Sequence, residues 1–316
     1  MHTLRALLSG IVDYAGLFPP AKLEMAPTVR NYARFRGEAE SWMLGRLVVP
    51  VARLEEFETN AAPLLPPGDD DDDEADLWII TALAAPAGDP QLERDLEAIE
   101  RFNDRHLNDG EGAAFIDAVE LRASSPDAID AVMDRLPEEI FPYFELPLEG
   151  APGGDVRGLV TALAGGEAGA KVRTGGLSPA DFPSAKALAH FITACAAADV
   201  PFKATAGLHH PIRLPRGQVT REVQAPMHGF LNVFLAACLA WSERIDAAEV
   251  ESILLIEAAS EFRFDDESIA VRGHRLTAER IEAARERFAH SFGSCSFDEP
   301  IADLRLLTLL GPVRQA

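Results

Sequence analysis

Apolar and polar residues alternate along this chain in blocks of about thirty residues. Short, nearly continuous apolar runs recur at 10–18, 42–50, 77–85, 113–121, 139–148, 169–175, 201–207 and 261–270. Runs of that length without polar alternation are strands buried on both faces, the signature of parallel sheets. Between them the spacing changes to that of one-sided helices. Leu92, Leu96, Ile99 and Phe102 fall on one helical face, as do Ile129, Val132, Met133 and Leu136, and Leu188, Phe191, Ile192 and Cys195. Ser125-Pro126 reads as a helix cap and Gly165-Gly166 as a helix end. Further helices are expected at 26–38, 226–241 and 246–257, from Thr277 through Phe288, and near 299–309.

Eight strands alternating with helices predict an α/β fold, a (β/α)8 TIM barrel in a single domain spanning residues 1–316. A doubly wound open sheet would call for an early GxGxxG phosphate loop, and none is present. Two segments interrupt the alternation: an acidic loop at 68–76 and a long loop at 208–225 that lacks periodicity. The Asp69–Asp73 run reads as solvated loop, because calcium loops alternate their ligands around a glycine. Near the end of the chain, residues 292–300 read as a glycine-serine turn covering one end of the barrel.

Charge narrows the partners. The formal net charge is -22 with a pI near 4.7. Such a field disfavours nucleic acid and anionic membranes, while a local cationic pocket still admits an acidic small molecule. Cys195, Cys238 and Cys295 are widely spaced, which argues against a disulfide framework. No signal peptide or apolar run of spanning length is apparent, so the expectation is a cytoplasmic protein. A homo-oligomer is compatible with the sequence. No cofactor is expected.

Lysine occurs only at Lys22, Lys171, Lys186 and Lys203. Lys171 and Lys203 sit in consecutive strand units over 169–211, each followed by a glycine turn. In a barrel the site forms at the C-terminal strand ends. The polar residues expected there are Asp13, Arg46, Asp117, Glu145, Lys171, Arg173, Lys203, His209 and His210. A buried lysine beside a second cation loses its proton more readily and can attack a carbonyl to form a Schiff base. Asp117 would relay protons. Substrate contacts are expected from Arg173, Thr174, Gly175, Gly207, Glu145, His209, His210 and Arg213, on a carbonyl or acidic small molecule. Two alternatives stand beside this reading. One is a metal-dependent enzyme using His209, His210, His228 and Glu145; the other is a non-catalytic barrel whose lysines belong to an ion-pair network.

The motifs Lys171-Val-Arg-Thr174-Gly175 and Lys203-Ala-Thr-Ala-Gly207 resemble the lysine strands of the deoxyribose-phosphate aldolase kind of class I aldolase. Ile116-Asp117-Ala-Val119 is similar to that family's aspartate strand, and Arg263-Phe264 to the start of its eighth. The resemblance implies an aldolase-like carbon–carbon lyase with Lys171 as the Schiff-base residue, Lys203 tuning it and Asp117 moving protons. Arg173, Ala206, Asp265 and Asp266 depart from the family's pattern, so a phosphorylated substrate is not implied.

Overall fold

The computed structural model describes residues 1–66, 77–108, 113–148, 156–219 and 224–311. The acidic loop at 68–76, with its Asp69–Asp73 run, lies outside them. Eight parallel strands close into a barrel: β1 (Val12–Tyr14), β2 (Leu44–Pro50), β3 (Trp78–Leu83), β4 (Ala114–Arg122), β5 (Phe141–Glu145), β6 (Gly169–Arg173), β7 (Phe202–Thr205) and the closing strand Ala289–Ser294, which pairs with both β7 and β1. The α/β barrel expected from the pattern is therefore the fold. No helix among the described residues is long and apolar enough to cross a membrane.

The amphipathic faces pack as their spacing dictates. Ile99, Phe102, Ile129, Val132, Leu188, Phe191, Ile192 and Cys195 are all buried. Ser125 Oγ accepts from the Ala128 N–H, and Thr277 likewise caps its helix by accepting from Arg280. Helix Phe230–Ser242 is buried on nearly every side, matching its uniformly apolar sequence.

The eighth strand is a correction. Residues 261–270 do not enter the barrel. Arg263–Phe264 and Ser268–Val271 instead pair antiparallel in a small outer sheet with His274–Thr277. The barrel is closed by Ala289–Ser294, whose end runs into the segment expected as a glycine-serine turn. Gly293 there is closely approached: a Cβ on it would lie 3.3 Å from Thr205 Oγ1. The segment expected as a long loop contains an antiparallel pair of Leu214–Gln218 with Gln224–Met227.

The ends of β6 and β7 are locked together. Thr174 N–H donates to Thr205 O at 2.9 Å, and Thr174 Oγ1 donates to Ala206 O. Gly207 has φ +79°, and a Cβ there would lie 2.7 Å from Thr174 O. Left-handed backbone and close approach both require glycine. Gly88 has a similar φ of +85°, but nothing lies within 4 Å of the Cβ that an alanine would add. Gly207→Ala is expected to lower unfolding free energy by about 3 kcal/mol, against about 1 kcal/mol for Gly88→Ala, read by urea denaturation.

Candidate active site

Lys171 and Lys203 are direct neighbours in register on β6 and β7. Both side chains point into the barrel, and both residues are almost fully buried. A bare ammonium in such a place is very costly, so each must meet carboxylates. They do, in an alternating chain across the barrel. Lys203 Nζ lies 2.6 Å from Asp13 Oδ2 on β1 and 2.5 Å from Glu120 Oε1 on β4. Glu120 Oε2 lies 2.7 Å from Lys171 Nζ, which also reaches Glu145 Oε2 on β5 at 2.8 Å.

Each end of the chain is anchored. Asp13 is fully buried and also accepts from Ser291 Oγ at 2.6 Å and from the Arg46 N–H at 2.9 Å. A Cβ on Gly45 would stand 2.4 Å from Asp13 Oδ1, so the glycine makes room for the carboxylate. At the other end, Glu145 Oε1 faces Arg173 Nε at 3.2 Å and Arg122 Nε at 3.6 Å.

Electrostatics follows from this order. Burial pushes Glu120 up, but the Lys171 and Lys203 ammonium groups outweigh it and hold the carboxyl at about 2. Burial pushes Glu145 up as well, and there Lys171 and Arg173 prevail and lower it. Burial pulls Lys203 down, yet Asp13 and Glu120 raise it above the ordinary lysine range. The two lysines, neighbours in register, are thus bridged by a carboxylate. Glu120 stands between them, and Lys203 is stabilised as a cation.

Asp117 has a different partner. Its carboxylate is paired bidentately with Arg46, at 2.7 and 2.6 Å, and not with either lysine. Burial opposes the charge on Arg46, but the contact with Asp117 outweighs it and raises the guanidinium further. The strand register slips between Ile80 and Thr81 opposite Asp117. That bulge resets the alternation, so Glu120, three residues further towards the C-terminal end, also turns inward. Sequence reasoning does not single out Glu120. The rule that barrel chemistry sits at strand C-termini favours it over Asp117 and is the signal that could have found it.

The remaining residues separate. Glu145, Lys171, Arg173 and His209 line one cavity of about 690 Å3 at the C-terminal mouth, together with Glu120 and Arg122. Thr174, Gly175 and Gly207 hold the β6 and β7 ends; a Cβ on Gly175 would lie 2.7 Å from Gly207 Cα. His209 and His210 bind separate carboxylates on the last helix, Glu299 at 3.0 Å and Asp303 at 2.6 Å. Arg213 lies 3.8 Å from Glu257 and does not line the cavity. His228 meets a backbone carbonyl instead: its Nε2 lies 2.9 Å from Pro183 O, and burial lowers its pKa to about 4. The four groups of the metal alternative are therefore engaged with different partners. Among the described residues no group of three or more His, Cys, Asp or Glu side chains could hold a metal ion.

No family model matches the chain, and no curated protein does. Among solved structures, it is similar to RipC from Yersinia pestis, at 13% identity over 68% of this chain and 90% of that one, with a TM-score of 0.33. It is also similar to the citrate lyase beta subunit of M. tuberculosis complexed with oxaloacetate and magnesium, at 11% identity over 64% of this chain and 81% of that one, with a TM-score of 0.35. At this level of likeness neither protein's chemistry carries over.

Because Glu120 is ionised far below the 4.5 of an ordinary glutamate, its contribution to stability is complete above about pH 4.5 and is lost as pH falls towards 2. The expected loss is on the order of 3 kcal/mol. Urea unfolding between pH 2 and 5 should show this slope in the native protein. Glu120→Gln should flatten it and lower stability at pH 7 by about 3 kcal/mol, since two buried ammonium groups lose a shared partner.

Proposed function

We propose that this barrel is a carbon–carbon lyase of aldolase type, acting on a small carbonyl compound through an imine on Lys171. The observation that carries the reading is the position of Lys171 Nζ. It lies at the floor of the cavity at the barrel's C-terminal mouth, within 2.8 Å of two carboxylates. A nucleophile touching two proton acceptors is the arrangement that imine chemistry needs.

The steps use those groups in turn. Lys171 passes one ammonium proton to Glu120 or Glu145, and the freed amine attacks the carbonyl carbon. The new C–N bond displaces the carbonyl π pair onto oxygen, which takes a proton back from the carboxyl group. The nitrogen, still carrying two protons, then gives one to the carboxylate pair, which passes it to the hydroxyl, and loss of water leaves the protonated imine. Its positive nitrogen accepts the electron pair of the breaking carbon–carbon bond, giving an enamine. A carboxylate removes the proton from the hydroxyl of the departing aldehyde. Protonation of the enamine carbon and hydrolysis return Lys171 and release the second product.

Lys203 does not act as a nucleophile in this scheme. Held by Asp13 and Glu120, it keeps Glu120 ionised and oriented. Asp117, tied to Arg46, is left outside the proton path. The role of Lys171 agrees with the resemblance in the lysine strands, while Lys203 acts through Glu120 and the acid is a different residue.

Borohydride reduction in the presence of a panel of aldehydes and oxo acids should leave a stable adduct on the peptide carrying Lys171. Lys171→Arg keeps a cation between Glu120 and Glu145 but removes the nucleophile, and should abolish the adduct with the fold intact by circular dichroism. Glu120→Gln should slow adduct formation by about 100-fold. Adducts that map to Lys203 or to surface Lys22 and Lys186 alone would overturn the assignment.

A further inference from the structure

The cavity above Lys171 has two unlike halves. Strands β1, β2 and β3 are contiguous on one side of the barrel and β4 to β7 on the other. From the first three and the turns that follow them, the lining is Ala15, Phe18, Pro19, Val48, Leu83, Ala84 and Pro86, with no charged side chain. From the other four and the turns that follow them come all the charged groups, Glu120, Arg122, Glu145, Lys171, Arg173 and Asp181, set among a few apolar residues such as Leu121 and Leu177. The change from apolar to charged falls between β3 and β4.

The charged half is itself graded. Lys171 lies at the bottom with 4% of its side chain exposed, while Arg173 and Arg122 stand at the rim with 42% and 71% exposed. One carboxylate, that of Glu145, joins floor and rim, since Oε2 meets Lys171 and Oε1 meets Arg173 and Arg122. Among the described residues Glu145 is the only salt-bridge partner of either guanidinium. Two exposed guanidinium groups thus share one ion-pair partner, with the Asp181 carboxylate also in the electrostatic reach of Arg173, in a protein with a formal net charge of -22. A carboxylate at the rim would meet both and could take the bidentate geometry that arginine offers. Its own adjacent carbonyl carbon would then face downward to Lys171.

The apolar half needs a different explanation. A volume of about 690 Å3 exceeds what a two- or three-carbon oxo acid fills. Uncovered apolar wall beside a charged wall gains free energy only from an apolar group laid against it.

We infer that the substrate is an amphipathic oxo acid: a carboxylate held by Arg122 and Arg173, a neighbouring carbonyl over Lys171, and a hydrocarbon tail of several carbons against the β1–β3 wall. This rests on the reading of Lys171 given above for the carbonyl alone. The carboxylate and tail subsites rest on the cavity's lining.

Equilibrium binding of unreactive 2-hydroxy acids to the full-length protein tests the subsites without chemistry. By isothermal calorimetry, 2-hydroxyhexanoate should bind at least tenfold more tightly than glycolate, since each buried methylene adds about fourfold. It should also bind at least tenfold more tightly than the uncharged hexane-1,2-diol. Arg173→Met should reduce the preference for acid over diol, and Leu83→Ser should reduce the preference for the longer acid. Equal affinity for acid and diol, equal affinity for long and short acids, or no binding of 2-hydroxyhexanoate at millimolar concentration would overturn the inference. Borohydride labelling of Lys171 reports separately on the imine. Tight selective binding without any adduct would remove the imine and keep the subsites.

Discussion

Everything at the mouth of this barrel depends on one alternating line of charge: Asp13, Lys203, Glu120, Lys171 and Glu145. Its members come from β1, β7, β4, β6 and β5, so the line exists only when the sheet is closed. Each contact is at hydrogen-bond length, and the three central side chains are at most 4% exposed. In that setting removing any one member leaves a neighbour charged and dry. The barrel's closure and the state of its ionisable groups are therefore a single problem. Ser291 on the closing strand illustrates this, because its hydroxyl completes the coordination of Asp13 where the first and last strands meet.

Much of this architecture is legible in the chain. Seven of the eight barrel strands lie in the expected apolar runs, and the helices between them bury the faces that the spacing marks. Strands β6 and β7 stand out through two lysines in a chain that otherwise nearly avoids the residue. The closing strand does not. Ala289-His-Ser-Phe-Gly-Ser294 has almost none of the branched or aromatic content of a strand, because Thr205 crowds Gly293 and Asp13 claims Ser291. The competing segment at 261–271 has that content and uses it in an outer three-stranded sheet.

The acid is hidden from the sequence for a comparable reason. Asp117 and Glu120 are three residues apart, which puts them on opposite faces of a regular strand. On a regular strand, choosing one excludes the other. The slip in register opposite Asp117 turns both inward at different depths, and Arg46 takes Asp117 while the lysines take Glu120. Local pattern has no access to such a bulge, because it is set by the pairing with β3. Arg122 is equally silent, since an exposed arginine at a strand end has no distinguishing sequence signal. Only its position across Glu145 from Arg173 gives it meaning.

A buried ion network is by itself weak evidence of function, since well-packed apolar residues usually hold a core at least as well. The feature of this one that the proposed function draws on is its asymmetry. The Asp13 end is sealed: Asp13 is fully buried, with a serine hydroxyl, a backbone N–H and an ammonium satisfying its oxygens. The Glu145 end opens into the cavity, and its outermost cations are solvent-facing. A network built for stability alone gains nothing by ending in a cavity with an apolar opposite wall. The imine chemistry proposed for Lys171 requires that end, because a carbonyl can reach the amine only from the cavity.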